Sequence, residues 1–292
     1  MNSRLRALAF LPLLLACATA ASAGNTLAVL TADSGAYLEA FSAFQAAYGS
    51  EVPYFNISQE TPVLPPGTET VVAFGGKAAN YSYPQGVSVV YCMAPGIFVK
   101  KPPPVGKAVK ISLIPEFEVI FTKLKQIQPE LKRLRVFWMT PSFAAFYEPV
   151  RTIGERLGIE VTPVKVSSQE EMPTLLRDAL GSADAFWLPP DPLLVTPENL
   201  MIMREFSWAN AIPFYGSTKG MTKEGAAASV GVSFKDMGTA AAGAALQLNE
   251  GKVMPGLFFP ADVELTLNAS AAKKCRLELT PEILRQANYL FP

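Results

Sequence analysis

The sequence predicts an α/β protein folded as two doubly wound lobes. Three observations carry this. Short β-rich runs alternate with longer amphipathic segments through most of the chain, the spacing of βαβ units. The alternation falls into two series, separated by the proline-rich stretch K-K-P-P-P-V-G at 100–106. The chain has 292 residues, half of them hydrophobic, enough for two cores of ordinary domain size.

The elements follow in order. L-A-V-L-T (27–31) reads as a strand, and Asp33-Ser34-Gly35 leads into a helix over 36–48, where Leu38, Phe41, Phe44 and Tyr48 make one apolar face. T-V-V-A-F (70–74) is a strand ending in Gly75-Gly76-Lys77, and V-S-V-V-Y-C-M (87–93) is another. The three prolines of 100–106 exclude regular structure and mark a linker or loop. A helix is expected over 115–127 with Pro115 in its first turn, then a strand at 134–139. Thr140-Pro141-Ser142 opens a helix to Leu157, stopped by Gly158. I-E-V-T-P-V-K-V (159–166) is a strand, and Ser167 or Ser168 with Glu171 caps a helix over 169–180. A-F-W-L (185–188) is a strand ending in Pro189-Pro190-Asp191-Pro192, a helix covers 197–209, and I-P-F-Y-G (212–216) is a strand. A-S-V-G-V (228–232) and a small-residue helix over 235–249 follow, the helix stopping before Gly251.

Residues 1–23 read as an export signal. Arg4 and Arg6 precede an apolar run from Ala7 to Ala16, and Ala21-Ser22-Ala23 offers a cleavage site. That run is shorter than the roughly 20 residues a membrane span needs. Leu14-Leu15-Ala16-Cys17 also resembles a lipobox, so lipid attachment at Cys17 stands beside cleavage after Ala23. Either route delivers the mature chain to the periplasm. Cys92 and Cys275 would then be free to pair or to stay reduced in the core.

Composition excludes several classes. The chain contains no histidine and no Cys-x-x-Cys pair, which removes histidine-based catalysis and the common zinc sites. Its 25 basic and 25 acidic residues balance, so nucleic acid is not an expected partner. No metal, cofactor or catalytic residue is expected. An α/β enzyme built on Asp191 or Lys219 is the weakest alternative, because no nucleophile elbow is present.

In open α/β sheets ligands bind at the carboxyl ends of the strands. The candidate binding residues are therefore Asp33, Ser34, Gly75, Gly76, Lys77, Met93, Thr140, Ser142, Phe143, Asp191, Ser217, Thr218 and Lys219. Each also has a plainer reading: serines cap helices, glycines serve the backbone, lysines are solvated, and Asp191 sits in a turn. Phe143, one residue past a turn, is placed to reach a ligand, whereas Phe146 and Trp187 read as core. G-S-T-K-G at 216–220 has the residue types of a phosphate loop. Its order is wrong for a Walker motif, which needs Gly-Lys followed by Ser or Thr.

Taken in order, the blocks S-S-Q-E-E-M-P, A-D-A-F-W-L-P-P-D-P, I-P-F-Y-G-S-T-K-G-M-T-K-E-G-A-A-A-S-V-G-V-S-F-K-D-M-G and L-T-P-E-I-L-R-Q-A-N resemble ABC-transporter substrate-binding proteins of the tryptophan/tyrosine type. The resemblance is strongest over 160–250 and weak over 50–110, and it rests on block order rather than on one motif. It implies a type 1 periplasmic binding protein: two Rossmann-like lobes joined by a three-strand hinge, with a small ligand trapped between them. Carried over by position, lobe 1 holds 24–112 with 232–258, and lobe 2 holds 113–231 with 259–292. It also implies a monomer that docks on an ABC permease in the inner membrane. A periplasmic sensor signalling to a membrane receptor is the alternative.

The chain departs from its relatives at the site. They show Asn-Pro-Ser-Glu and a further Asn where it has Thr140-Pro141-Ser142-Phe143 and Ala145. They show Thr-Asp-Asn where it has Pro190-Asp191-Pro192, and Ser-Asp-Thr-Asp where it has Ser217-Thr218-Lys219-Gly220. Asp33 and Asp191 are the acids left to hold an amino group, and Lys77 and Lys219 stand in strand-end loops. The expected ligand is accordingly a carboxylate-bearing or otherwise anionic organic molecule.

Overall fold

The computed structural model describes residues 26–33, 35–95 and 107–292. The export signal, Cys17, Ser34 and the 100–106 segment lie outside the described residues.

The first half runs β1 (Thr26–Leu30), α1 (Gly35–Tyr48), β2 (Tyr54–Asn56), β3 (Thr70–Phe74), α2 (Gly76–Ala79), β4 (Ser88–Cys92) and β5 (Ala108–Ile111). Next come α3 (Phe117–Ile127), β6 (Arg133–Trp138), a 3-10 turn (Pro141–Phe146), α4 (Tyr147–Arg156) and β7 (Glu160–Lys165). A second 3-10 turn (Gln169–Glu171), α5 (Met172–Arg177), β8 (Ala185–Trp187), α6 (Pro197–Asn210), β9 (Phe214–Gly216), α7 (Lys219–Lys223) and β10 (Ala228–Gly231) follow. The chain closes with α8 (Phe234–Asn249), β11 (Leu257–Phe258), β12 (Glu264–Asn268), α9 (Ala269–Lys274), α10 (Pro281–Gln286) and β13 (Tyr289–Phe291).

These strands form two sheets, one per lobe. The first has six strands in the order β11-β5-β4-β3-β1-β2, all parallel. The second has seven, β13-β12-β10-β9-β8-β6-β7, parallel except at the β10–β12 pair. The central strands β1 and β3 are buried along their whole length, as parallel strands covered on both faces must be. The chain passes between the sheets after β5, after β10 and after β11.

The strands missed by the sequence reading explain the larger count. β2, β11 and β13 are two or three residues long, too short for a periodic signal. β5 hides behind the prolines, and β12 runs against its sheet. Helix α3 starts at Phe117 because Glu116 is extended, so Pro115 stands outside it. The helices expected from 140 and from 169 each open as a 3-10 turn. The Glu171 carboxylate accepts from the Ser167 amide at 3.0 Å, half of a capping box, and no serine hydroxyl completes it. Cys92 and Cys275 are both free and buried, and they belong to different lobes, which rules out the pairing.

Helix α8 returns the chain from the second sheet to the first. It packs on α1, β3, β4 and β5 through Gly238, Ala241, Ala242 and Ala245. A Cβ at Gly238 would lie 2.0 Å from the carbonyl oxygen of Ala40 on α1, so the two backbones touch there. At its far end Asn249 donates to the hydroxyls of Thr26 and Tyr48 at 3.0 Å and accepts from Thr70 at 2.7 Å. In an open helix Gly→Ala gains about 1 kcal/mol of propensity. Here Gly238→Ala is expected to lose about 1–3 kcal/mol by overpacking. Urea denaturation checks the sign: a stabilised variant would show that α1 and α8 have room to separate.

Candidate functional site

At the carboxyl end of the first sheet the loops interlock. The Thr31 amide donates to Phe74 O at 2.9 Å, and the Gly75 amide to Cys92 O at 2.8 Å. Gly75 has φ 94°, and a Cβ there would meet Thr31 Oγ1 and the Tyr37 ring at 2.6 Å. Thr31 Oγ1 itself accepts from the Ala78 amide at 3.1 Å. Gly75 thus serves the backbone, and Gly76 begins the single turn of α2. Asp33 and Lys77 stand exposed at the rim: Asp33 accepts from Gln59 at 3.4 Å, and Lys77 Nζ lies 3.5 Å from the Ser58 hydroxyl. Met93, buried and left-handed at φ 54°, turns the chain after β4.

The second sheet's end is organised by Asp191, which is fully buried. Its carboxylate accepts from the amides of Met139 and Thr140 at 2.7 Å, from the Leu193 amide at 3.0 Å, and from the Thr140 hydroxyl. Those bonds fill its acceptor sites and tie the end of β6 to the loop after β8. Asp191 and Thr140 therefore hold the scaffold, and neither presents a free group to a ligand. Ser142 falls in the 3-10 turn that Thr140 starts.

The G-S-T-K-G stretch is also structural. A Cβ at Gly216 would lie 2.6 Å from Met221 and Ser229. Ser217 is buried, donates to Leu188 O at 2.9 Å and caps nothing. Thr218 is the helix cap, accepting from the Met221 amide. Lys219 Nζ sits 3.2 Å from the centroid of the Tyr289 ring, a cation–π contact. Burial raises the Glu264 carboxyl above its ordinary range, with Lys219 pulling the other way.

What the structure brings together between the lobes is a different set. A narrow space, about 20 Å³ to a water-sized sphere, is walled on one side by Pro95, Lys110 and Leu257, and on the other by Ile114, Phe143, Phe146 and Pro190. Phe143 is the one sequence-derived candidate on this wall. Lys110 is new. It projects from β5, whose Val109 and Ile111 point into the core while Lys110 takes the other face. The strand's alternation A-V-K-I was the available signal, masked by the prolines before it. Lys110 Nζ donates to Pro95 O at 3.3 Å and forms no ion pair among the described residues. Burial lowers its pKa to about 8. Its neighbour in register on β4 is Tyr91, whose phenol is itself raised by burial.

Behind Phe143 lies a second narrow space in lobe 2, about 20 Å³ to a water-sized sphere, lined by Phe117, Val136, Trp138, Phe146, Val150 and Trp187. Trp187 is 1% exposed, and its indole N–H has no hydrogen-bond partner among the described residues.

Residues 118–290 match the family model described as ABC transporter substrate binding protein. No curated protein matches the chain. Three solved structures are similar over 91% of this chain. One is a Streptococcus pneumoniae ABC domain in complex with L-Trp (16% identity, 99% of that chain, TM-score 0.64). Another is a ligand-free, open substrate-binding protein with adhesive properties from Clostridium difficile (15%, 98%, TM-score 0.66). The third is a conserved domain protein from Vibrio cholerae (15%, 98%, TM-score 0.64). At these identities the likeness bears on the fold. Among the described residues no helix is long and apolar enough to cross a membrane.

The Asp191 staple generates a prediction. Asp191→Asn puts an amide donor against groups that are themselves donors. A hydrogen bond to a charged group contributes about 1.5–3 kcal/mol. The variant should lose at least about 3 kcal/mol of stability, since more than one such bond goes. Thermal unfolding without ligand checks it; an unchanged midpoint would return Asp191 to the candidate ligand groups.

Proposed function

The chain belongs to the ABC transporter substrate-binding protein family, and from that premise we propose that it captures a small organic anion between its two lobes. The family is one of binders rather than catalysts. The observation that carries the anion reading is Lys110. A half-buried ammonium with no counter-ion is unfavourable, and an incoming carboxylate or similar anion relieves that cost. Phe143, Phe146, Ile114 and Pro190 offer an apolar wall for the body of the ligand.

The anion expectation is thereby supported through a lysine the sequence did not single out. Lys219 is engaged by Tyr289, and Lys77 is exposed at the rim of lobe 1. Because the walls come from both sheets, closing the lobes about the three crossings would bury the ligand from both sides. In this reading the capture takes place in the periplasm, and the closed form docks as a monomer on an inner-membrane ABC permease.

The test is isothermal titration of the mature protein with a panel of small carboxylates, amines and neutral compounds. Carboxylates should bind, and Lys110→Met should weaken them more than tenfold. Binding of amines or neutral compounds alone would overturn the anion reading. The pH dependence has a definite sign. The anion needs protonated Lys110, whose pKa in the free protein is about 8. Affinity should hold below that pH and fall about tenfold per unit above it. The ligand-free fold behaves oppositely. Burying charged Lys110 destabilises it below about pH 8, and the penalty disappears as pH rises toward the ordinary 10.5. Lys110→Met should remove both dependences.

A further inference from the structure

We propose that the two crossings on either side of α8 and β11 form a proton-sensitive hinge. Carboxylates carried by the two lobes face one another across a groove there, and the lobes lie closer on that side when Glu264 is protonated than when it is ionised. This goes beyond the anion reading and needs no ligand.

The first support is where the groove lies. It holds about 470 Å³ to a water-sized sphere, far more than the narrow spaces around Phe143. Glu39 belongs to α1, and Lys235 and Asp236 to the first turn of α8, so all three move with lobe 1. Ser233 lies on the crossing after β10, and Asp262 and Val263 on the crossing after β11. Glu264 opens β12, and Asn288 and Tyr289 lie at the start of β13, so these move with lobe 2. A rotation about the crossings therefore changes the separation of Glu39 and Asp236 from Glu264.

The second support is the charge across the groove, which does not balance. Glu39, Asp236, Asp262 and Glu264 are set against Lys235 and the neighbouring Lys219. None of the six forms an ion pair among the described residues, and Lys219 is turned onto the Tyr289 ring. The Ser233 hydroxyl donates to the Asp236 carboxylate at the start of α8, where the helix's own amides favour its charge. Glu264 is half-buried and is the group that yields. Burial, Asp236 and Glu39 raise its pKa, and Lys219 alone pulls it down. Its register partner on β10 is Gly231, which brings no charge, and the lysines of α9 follow the far end of β12. Glu264 thus binds its proton more tightly while the lobe 1 carboxylates are near. By linkage, protons favour the orientation with the narrow groove and ionisation the wider one.

The experiment measures distances between two spin labels by double electron–electron resonance in the ligand-free protein. The labels are placed at Ser42→Cys, one turn beyond Glu39 on α1, and at Leu284→Cys on α10. Both positions are exposed, whereas the native Cys92 and Cys275 are buried. Between about pH 4 and about pH 7 the longer-distance population should grow several-fold. Lys110, with a pKa of about 8, keeps its charge over this range, so the anion site does not contribute. Glu264→Gln should hold the distribution in its acid form throughout, and Lys219→Met should move the change to higher pH. In 1 M salt, where the screening length falls to about 3 Å, the change in the unsubstituted groove should shrink. A distribution that is the same at both ends of the range would overturn the hinge. So would a change that survives Glu264→Gln or persists undiminished in 1 M salt. Either result leaves the anion reading standing. If Glu264→Gln fails to fold, the salt comparison decides alone.

Discussion

The architecture depends on one close crossing, that of α8 over α1. The chain leaves the second sheet after β10 and must return to the first before it can add β11. It does so on a helix whose inner face carries Gly238, Ala241, Ala242 and Ala245, small enough for backbone to meet backbone. Larger residues on that face would lift α8 off the sheet and move the segments before and after it. The segment before it is a crossing between the lobes, and the segment after it leads through β11 to the next one. The helix also ends on a polar lock, Asn249 with Thr26, Tyr48 and Thr70, which fixes its rotation as well as its depth. The path between the lobes is thus tied to the packing of α8 on α1 and the first sheet.

A similar economy operates at the strand ends. Polar residues there are expected to face a ligand, yet most are spent on the scaffold. Asp191 gathers the donors left by the end of β6, Ser217 satisfies Leu188, and Thr218 caps α7. Parallel strands ending in short loops leave many backbone groups without partners, and side chains of this size are the nearest source. The consequence is a site whose polar inventory is small. What remains between the lobes is mainly aromatic and aliphatic surface with one cation.

This explains how far the sequence could be read. The two-lobe α/β class was legible because β1 and β3 are nearly unbroken apolar runs, β6 alternates and α3 has one apolar face, and burial follows these patterns closely. The site was less so. Strand-end position is a statement about topology, and it picks out scaffold and ligand groups alike. Whether Asp191 is free or filled depends on amides of residues 139 and 140, about fifty positions away in the chain. Lys219 looked unpaired until β13 laid Tyr289 beneath it. Lys110 was invisible for the opposite reason. Its strand is four residues long, and a lysine in such a run reads as a solvated edge. Phe143 does line the space between the lobes, where a large apolar side chain just past a turn has few other places to go.

The same scarcity of polar groups gives the cation its weight. In a site rich in hydrogen-bonding groups, one lysine would be one contribution among many. Here, among the described residues, Lys110 has only the Pro95 carbonyl, and its register neighbour on β4 is a phenol pushed toward its neutral form. Water supplies the rest of its solvation while the lobes are apart. In the proposed reading closure removes that water, so the charge of Lys110 would oppose closing unless an anion came with it. An empty cleft then resists closing and a filled one does not. Differential stability of open and closed forms is what a binding protein needs if its permease is to distinguish loaded from empty.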